Sequence, residues 1–379
     1  MNKRMADRTK IGFLYMGNPT DTKYWSGTVS NLHKIISKSD KVELVDIVVK
    51  PHRLSAKLYK AVRVLSLKKN EISFLSAFLN SRAADRMIEE SNCEYIFAPA
   101  CSKLIYSGRK ALKNKKLIYL SDATYHNMIG YYFFHSKHDQ RIADMWESTS
   151  HKLASAIIFP AEWSFDDAMN YYHTPKEKIK LLKFGANIED VGSKVIKPGK
   201  DKYKLLLIGV DYVRKGVDVA IETVKRLNES SSTVKYELTI VGLNKPDIDI
   251  PDYVTFLGKL RKDREDELKR LIDCYKSHDI FILPTKAECS AIVFSEASMF
   301  GLPVFTYATG GTTDYVKDGV SGRCLEPSCG ADDFAKAISS AIENGDVEKF
   351  SIGARKKYEE ELNWNTWLEK FESVVEELA

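Results

Sequence analysis

The sequence predicts an α/β protein built from two doubly wound parallel sheets. Short apolar runs that end at glycine alternate with amphipathic stretches, which marks parallel strands covered by helices on both faces. The same rhythm occurs in both halves of the chain. Between the halves lies residues 187–201 (NIEDVGSKVIKPGKD), a polar stretch with Pro and Gly that suits a hinge. A length of 379 residues fits roughly two or three domains.

In the first half, residues 11–16 (IGFLYM) and 42–49 read as strands, with the first helix inside 24–37. Strands at 94–98, 117–120 and 156–159 follow, with helices between them. The second half is cleaner. Residues 203–210 (YKLLLIGV) form an apolar run, 217–227 a helix, and 236–241 a strand ending at Gly242. Residues 254–257 end at Gly258, 265–275 are amphipathic, 279–284 (DIFILP) form a buried run, 292–300 are helical, and 304–307 continue the alternation. The domain boundary falls near 194–200, giving domains over 1–195 and 196–360. Residues 361–379 carry a terminal helix from 368, preceded by Trp364 and Trp367. No fixed-period repeat interrupts this order.

Composition excludes several classes. Apolar residues make up 44% and charged residues 29%, so the chain can bury large cores and is not disordered or collagen-like. No apolar run approaches the roughly 18 to 20 residues that cross a bilayer. The start, MNKRMADRTK, lacks the apolar core of a signal peptide, so the expected place is the cytoplasm. The six cysteines include no CxxC pair and read as reduced thiols. The net charge of +5 hides an asymmetry: residues 1–195 hold 31 Lys and Arg against 20 Asp and Glu, the remainder 26 against 32. Much of the excess lies in residues 50–69 (KPHRLSAKLYKAVRVLSLKK), which contain seven cations and no acid. Leu54, Leu58, Val62 and Leu65 recur there at helical spacing, flanked by Arg53, Lys57, Lys60 and Arg63. Such a helix could rest peripherally on an anionic membrane face, or pack its leucines into the first domain. Nucleic acid is not expected as a partner, because no recognition motif accompanies the charge.

The chemistry concentrates in residues 288–304 (ECSAIVFSEASMFGLPV). Glu288 sits in the loop after a buried strand and Glu296 inside the next helix. Eight helical residues would span about 12 Å, whereas glycoside hydrolysis needs carboxyls roughly 5 to 9.5 Å apart. The pair therefore suits a longer, two-ended ligand. The first helical turn, about Ser290-Ala291-Ile292-Val293, offers backbone N–H groups and the positive dipole end to an anion such as a diphosphate. Arg214 and Lys215, beyond the first strand of this half, would neutralise charge on a departing diphosphate. Sugar hydroxyls at one carboxylate, ribose at the other and a diphosphate between them describe a nucleotide sugar. Asp247-Ile248-Asp249 has a metal-binding DxD form but sits in a Pro-flanked turn, so no metal is expected.

Arg214-Lys215-Gly216, Phe256-Leu257-Gly258, Glu288-x7-Glu296, Gly301-Leu302-Pro303-Val304, Gly310-Gly311 and Asp318-Gly319-x2-Gly322 occur in an order that resembles family 4 of the retaining glycosyltransferases. The resemblance covers residues 155–379 by motif and the first half by architecture. It implies the GT-B fold, two facing Rossmann-like domains with a cleft between them, the second holding the donor and the first the acceptor. By the same resemblance the last helix in 361–379 crosses back onto the first domain, and Trp364 and Trp367 therefore read as packing anchors over the alternative of sugar platforms. It implies that Glu288 binds donor-sugar hydroxyls, Glu296 the ribose, and Arg214 and Lys215 the diphosphate. Lys259 and Leu260 fall where the family receives the nucleobase, and Gly27 where its loop approaches the donor phosphates. The acceptor side is carried by Asp122, nearest in place to a family histidine, or by His126, nearest in type; an Asx turn or helix cap is the alternative for Asp122. His135, His138 and His151 read as ordinary helix or loop residues. The chain departs from the pattern at Cys289 and Ala291, where the family has glycines, and at Asp314, where it has Glu.

The implied activity is a metal-independent, retaining, hexosyltransferase-type transfer of a sugar from a nucleoside diphosphate, UDP being the common choice. The acceptor is a hydroxyl of a glycan or lipid-linked glycan in polysaccharide or glycoconjugate biosynthesis, and no cofactor is needed. A sugar-nucleotide 2-epimerase of the same fold and a non-catalytic adaptor that binds glycan or protein are the alternatives.

Overall fold

A computed structural model describes residues 8–50, 74–247 and 249–379 of the chain. The basic segment 51–69 and Ile248 of the DxD sequence lie outside the described residues. The chain forms two units, residues 1–182 with 368–379, and residues 183–367.

The first unit contains β1 (Thr9–Tyr15), β2 (Val42–Val48), β3 (Tyr95–Pro99), β4 (Lys116–Leu120), β5 (Ala154–Phe159) and β6 (Ile179–Leu181). All pair in parallel, in the order β2-β1-β3-β4-β5-β6. Ile11, Phe13, Leu14, Ile96, Phe97, Leu117, Ile118 and Ile157 are fully buried, consecutive neighbours included, because helices cover both faces of the sheet. The late part of the helix Trp364–Glu377 belongs to this unit. There Phe371 meets Phe97 edge-on at 5.1 Å, and Ser39 Oγ donates to Glu372 at 2.6 Å.

The second unit contains β7 (Lys202–Ile208), β8 (Lys235–Val241), β9 (Val254–Phe256), β10 (Ile280–Leu283), β11 (Val304–Tyr307) and β12 (Gly322–Leu325). Their order is β12-β11-β10-β7-β8-β9, again all parallel. The first strand is thus central, and the crossovers reverse direction between β7 and β10. Ligands of such sheets bind beyond the carboxyl ends of the strands at this switch point. Because every strand runs the same way, the loops after β7, β8, β9 and β10 emerge on one edge.

The unit limit at Leu182 precedes the expected boundary near 195. Residues 187–201 look like a linker in composition, yet they and the residues just before them are bound into the second unit. The Phe184 N–H donates to Tyr315 Oη at 3.0 Å, Ser295 Oγ donates to the Phe184 carbonyl at 2.9 Å, and the Ile196 N–H donates to Ser351 Oγ at 3.0 Å. Ile196 itself is fully buried. Trp364 packs over Gly185, where a Cβ would come within 2.6 Å of the Trp364 nitrogen, and Trp367 is buried.

Candidate active site

In the second unit the loop after β7 makes a tight turn. Asp211 Oδ1 accepts the Arg214 N–H at 2.9 Å, and the Lys215 N–H donates to the Asp211 carbonyl at 3.1 Å. Gly216 then opens the helix Val217–Ser230 in the left-handed conformation, φ +64°. A Cβ there would lie 2.0 Å from the Pro284 carbonyl oxygen, so glycine lets this loop touch the end of β10. The Arg214 carbonyl accepts the Lys286 N–H at 2.8 Å and the Thr285 hydroxyl at 3.2 Å. The β7 and β10 loops are stitched together before any side-chain charge is considered.

That stitching brings Arg214, Lys215 and Glu288 into one cluster. The Lys215 ammonium pairs directly with Glu288 Oε2, and its aliphatic stem lies over Gly209. The Arg214 guanidinium lies 3.6 Å from the same oxygen and donates to the Ala287 carbonyl at 3.0 Å. Lys215 and Glu288 are both buried, so these charges persist there because they compensate each other. The Gly310-Gly311 turn after β11 holds the next layer: the Gly311 N–H donates to the Glu288 carbonyl at 3.1 Å.

The helix Ile292–Met299 begins four residues after Glu288, capped by Ala291 at φ −80°, ψ 92°. A side chain is tolerated at that angle, which accounts for Ala291 where the resembling family has glycine. Ser290, Ala291 and Ile292 lie at the positive end of this helix, two to four residues after Glu288. Glu296, one turn further, is 1% exposed. Its carboxylate receives the Asn187 N–H at 3.3 Å, the Tyr275 hydroxyl at 2.8 Å and the Lys262 ammonium. Burial and the adjacent Glu296 raise the pKa of Tyr275 well above its ordinary value, so it stays a hydrogen-bond donor. Lys262 ties the loop after β9 to this helix. Lys259 and Leu260 are on that same loop, Lys259 exposed and Leu260 partly buried against the core.

Lys262, Tyr275 and the Asn187 amide were not singled out from the sequence. Each comes from a different segment, and only the folded chain brings them to Glu296. The one sequence signal was the run Lys259-Leu260-Arg261-Lys262, cationic just after Gly258, which follows β9.

In the first unit, Gly27 caps the helix Thr28–Ile36 with φ +83°, after Trp25 and Ser26, which also have positive φ. The Trp25 indole N–H donates to Asp122 Oδ2 at 3.1 Å, so Asp122 and the turn that ends at Gly27 lie together. Asp122 does not cap the following helix, Tyr125–Met128; Thr124 does, accepting the Asn127 N–H at 3.3 Å. His126 points to other partners. Its Nδ1 is 2.7 Å from Asp167 Oδ1, and its ring stacks on Tyr171 at 3.6 Å. His135 and His151 are held internally by Tyr125 and by Thr174 and Glu147. Among the described residues no group of three or more His, Cys, Asp or Glu is arranged to hold a metal ion, and no helix is long and apolar enough to cross a membrane.

Residues 191–357 match the model of the family described as glycosyl transferases group 1. The amylovoran biosynthesis glycosyltransferase AmsK of Erwinia amylovora is 28% identical over 222 residues, which cover 54% of this chain and 52% of that protein. The lipopolysaccharide glucosyltransferase WaaG of Escherichia coli K12 is 26% identical over 197 residues, 46% of this chain and 50% of WaaG. The chain thus aligns with about half the length of these curated relatives. Among solved structures, the lipopolysaccharide outer core galactosyltransferase WaaB superposes with a TM-score of 0.71 at 15% identity, covering 98% of this chain and 100% of WaaB. Anabaena Alr3699/HepE, solved with UDP and glucose, gives 0.66 at 14% identity, covering 98% and 100%. The two six-stranded parallel sheets, with these neighbours over nearly the whole length, make the fold GT-B.

Proposed function

We propose that the chain is a glycosyltransferase that moves a sugar from a nucleoside diphosphate, UDP foremost, to a hydroxyl of a glycan or lipid-linked glycan. The observation that carries this reading is the Glu288 carboxylate held by Lys215 and, at 3.6 Å, by Arg214, beside the start of the helix Ile292–Met299. A carboxylate suits sugar hydroxyls, and two cations with a helix N-terminus suit a diphosphate. The two curated relatives support transfer over epimerisation: one is named an amylovoran biosynthesis glycosyltransferase and the other a lipopolysaccharide glucosyltransferase.

In the proposed reaction the acceptor oxygen attacks the anomeric carbon from the face that the diphosphate leaves. The bond from that carbon to the phosphate oxygen breaks, and this oxygen takes the acceptor's proton. The anomeric configuration is retained, and no covalent enzyme intermediate forms. Arg214 and Lys215 stabilise the charge that grows on the diphosphate, the part a divalent metal plays in other transferases. Glu288 would exchange its two cations for sugar hydroxyls as the diphosphate takes them. Glu296 would hold the ribose, and Asp122, fixed by Trp25, would face the acceptor.

The test is sugar transfer by Lys215→Met and Glu288→Gln variants whose folding is checked by circular dichroism. Losing Lys215 should lower kcat by about a hundredfold or more, the usual scale for removing one group that stabilises transition-state charge. Glu288→Gln should lower kcat/KM roughly 10- to 150-fold, as expected for a charged hydrogen bond. Unchanged transfer in both folded variants would refute the assignment of the site.

A further inference from the structure

Glu296 is surrounded more completely than a waiting ligand site needs to be. Among the described residues, Oε1 takes both the Lys262 ammonium and the Asn187 N–H, and Oε2 takes the Tyr275 hydroxyl. A carboxylate has about four acceptor positions, and a ribose diol brings two donors. Three residents and two newcomers exceed that capacity, so one resident has to leave. Tyr275 is fully buried, with its ring stacked on Phe300 at 5.0 Å. The Asn187 donor is main chain. Lys262 is the remaining one, a long side chain on a loop, 28% exposed where the carboxylate is 1% exposed.

We propose that Lys262 is a resident occupant of the ribose seat and that donor binding is an exchange in which the diol displaces its ammonium from Glu296. The inference rests on the reading of Glu296 as the ribose carboxylate. A ligand that brings ribose alone must break a largely buried ion pair and gains only two hydrogen bonds, which is a poor trade. A ligand that also brings a diphosphate gains the Arg214 and Lys215 cations and offers an anion near which the freed ammonium can rest. Lys262 thereby sets selectivity for a nucleoside diphosphate over the bare nucleoside. Its side chain touches neither the transferred sugar nor the acceptor in this scheme, so it is a specificity residue and takes no part in bond making.

Alternatively, the pair could serve structure alone, fastening the loop after β9 to the helix Ile292–Met299. Calorimetric titration separates the two. Wild type, Lys262→Met and Lys262→Arg would each be titrated with UDP and with uridine, with GDP and ADP as controls on the base. Removing a resident competitor raises the open fraction of the seat, so uridine should bind Lys262→Met about fivefold tighter or more, while UDP affinity changes by less than about threefold. Lys262→Arg, which restores the cation, should return the UDP-to-uridine ratio to the wild-type value. A ratio in Lys262→Met within about twofold of wild type, or equal weakening of both ligands, would overturn the proposal. Should Lys262→Met fail to fold, Lys262→Gln takes its place under the same criteria. Wild type that binds none of UDP, GDP and ADP, nor CDP or TDP titrated in the same way, defeats the donor-site reading itself, an outcome distinct from an unchanged ratio.

Discussion

At Gly216 two demands coincide: a left-handed backbone and contact with the Pro284 carbonyl, 2.0 Å from where a Cβ would sit. Gly216→Ala should therefore destabilise the second unit by about 2 kcal/mol or more, combining backbone strain with a clash against main chain that cannot step aside. A urea midpoint compared with wild type checks it. The clustering of Arg214, Lys215 and Glu288 was legible before folding because each lies just past an apolar run, at the carboxyl edge of a doubly wound sheet. The surroundings of Glu296 were not. Lys262, Tyr275 and Asn187 reach it from a loop, a helix and a linker-like stretch, and no local period in sequence records such an approach. Asp122 shows the same limit: its place after β4 was legible, but its partner Trp25 is 97 residues away.

At the scale of elements, the helix Glu265–Ser277 delivers Tyr275 to Glu296 and ends at the buried His278. His278 Nδ1 lies 2.6 Å from the Cys274 carbonyl, which fits a neutral ring donating to it. Burial first, then the nearby Lys204 and Lys194, holds its pKa below the ordinary imidazole value against the opposing pull of the Cys274 carbonyl and Asp279. Unfolding frees the ring to take a proton sooner than the folded chain does. Its contribution to stability is therefore full above the ordinary imidazole range and declines as pH falls through it, until the folded-state pKa is passed, by at most about 1.4 kcal/mol per pH unit. Urea midpoints across this range should show that slope, and His278→Gln should flatten it; equal slopes would remove His278 as the cause. Strands buried on both faces were legible as continuous apolar runs, such as Ile280–Leu283. The edge strands β6 and β12 were not. One is three residues long, and the other carries the exposed Arg323, so neither forms a recognisable run. Residues 187–201 misled in the opposite sense: polar composition suggested a linker, while Ile196 within them, like Phe184 just before them, is fully buried and bonded to the second unit.

For the whole molecule, length and alternation already implied two doubly wound sheets, and the strand orders bear that out. The division between units was less accessible, because contacts made by individual residues decide it: the chain leaves the first unit at Leu182 and rejoins it at Leu368, inside its last helix. The candidate donor residues Arg214, Lys215, Glu288 and Glu296 all belong to the second unit, within the stretch that matches glycosyl transferases group 1. The central claim is that this cluster receives a nucleoside diphosphate. A thermal-shift panel of UDP, GDP, ADP, TDP and CDP, each also as its sugar, tests it most directly, because a ligand that binds only the folded chain stabilises it by mass action. At 100 times its dissociation constant, one of them should stabilise wild type by about 2.7 kcal/mol and raise its melting temperature by several degrees, with little or no shift in Lys215→Met. No shift with any of them, or an equal shift in the variant, would contradict the account.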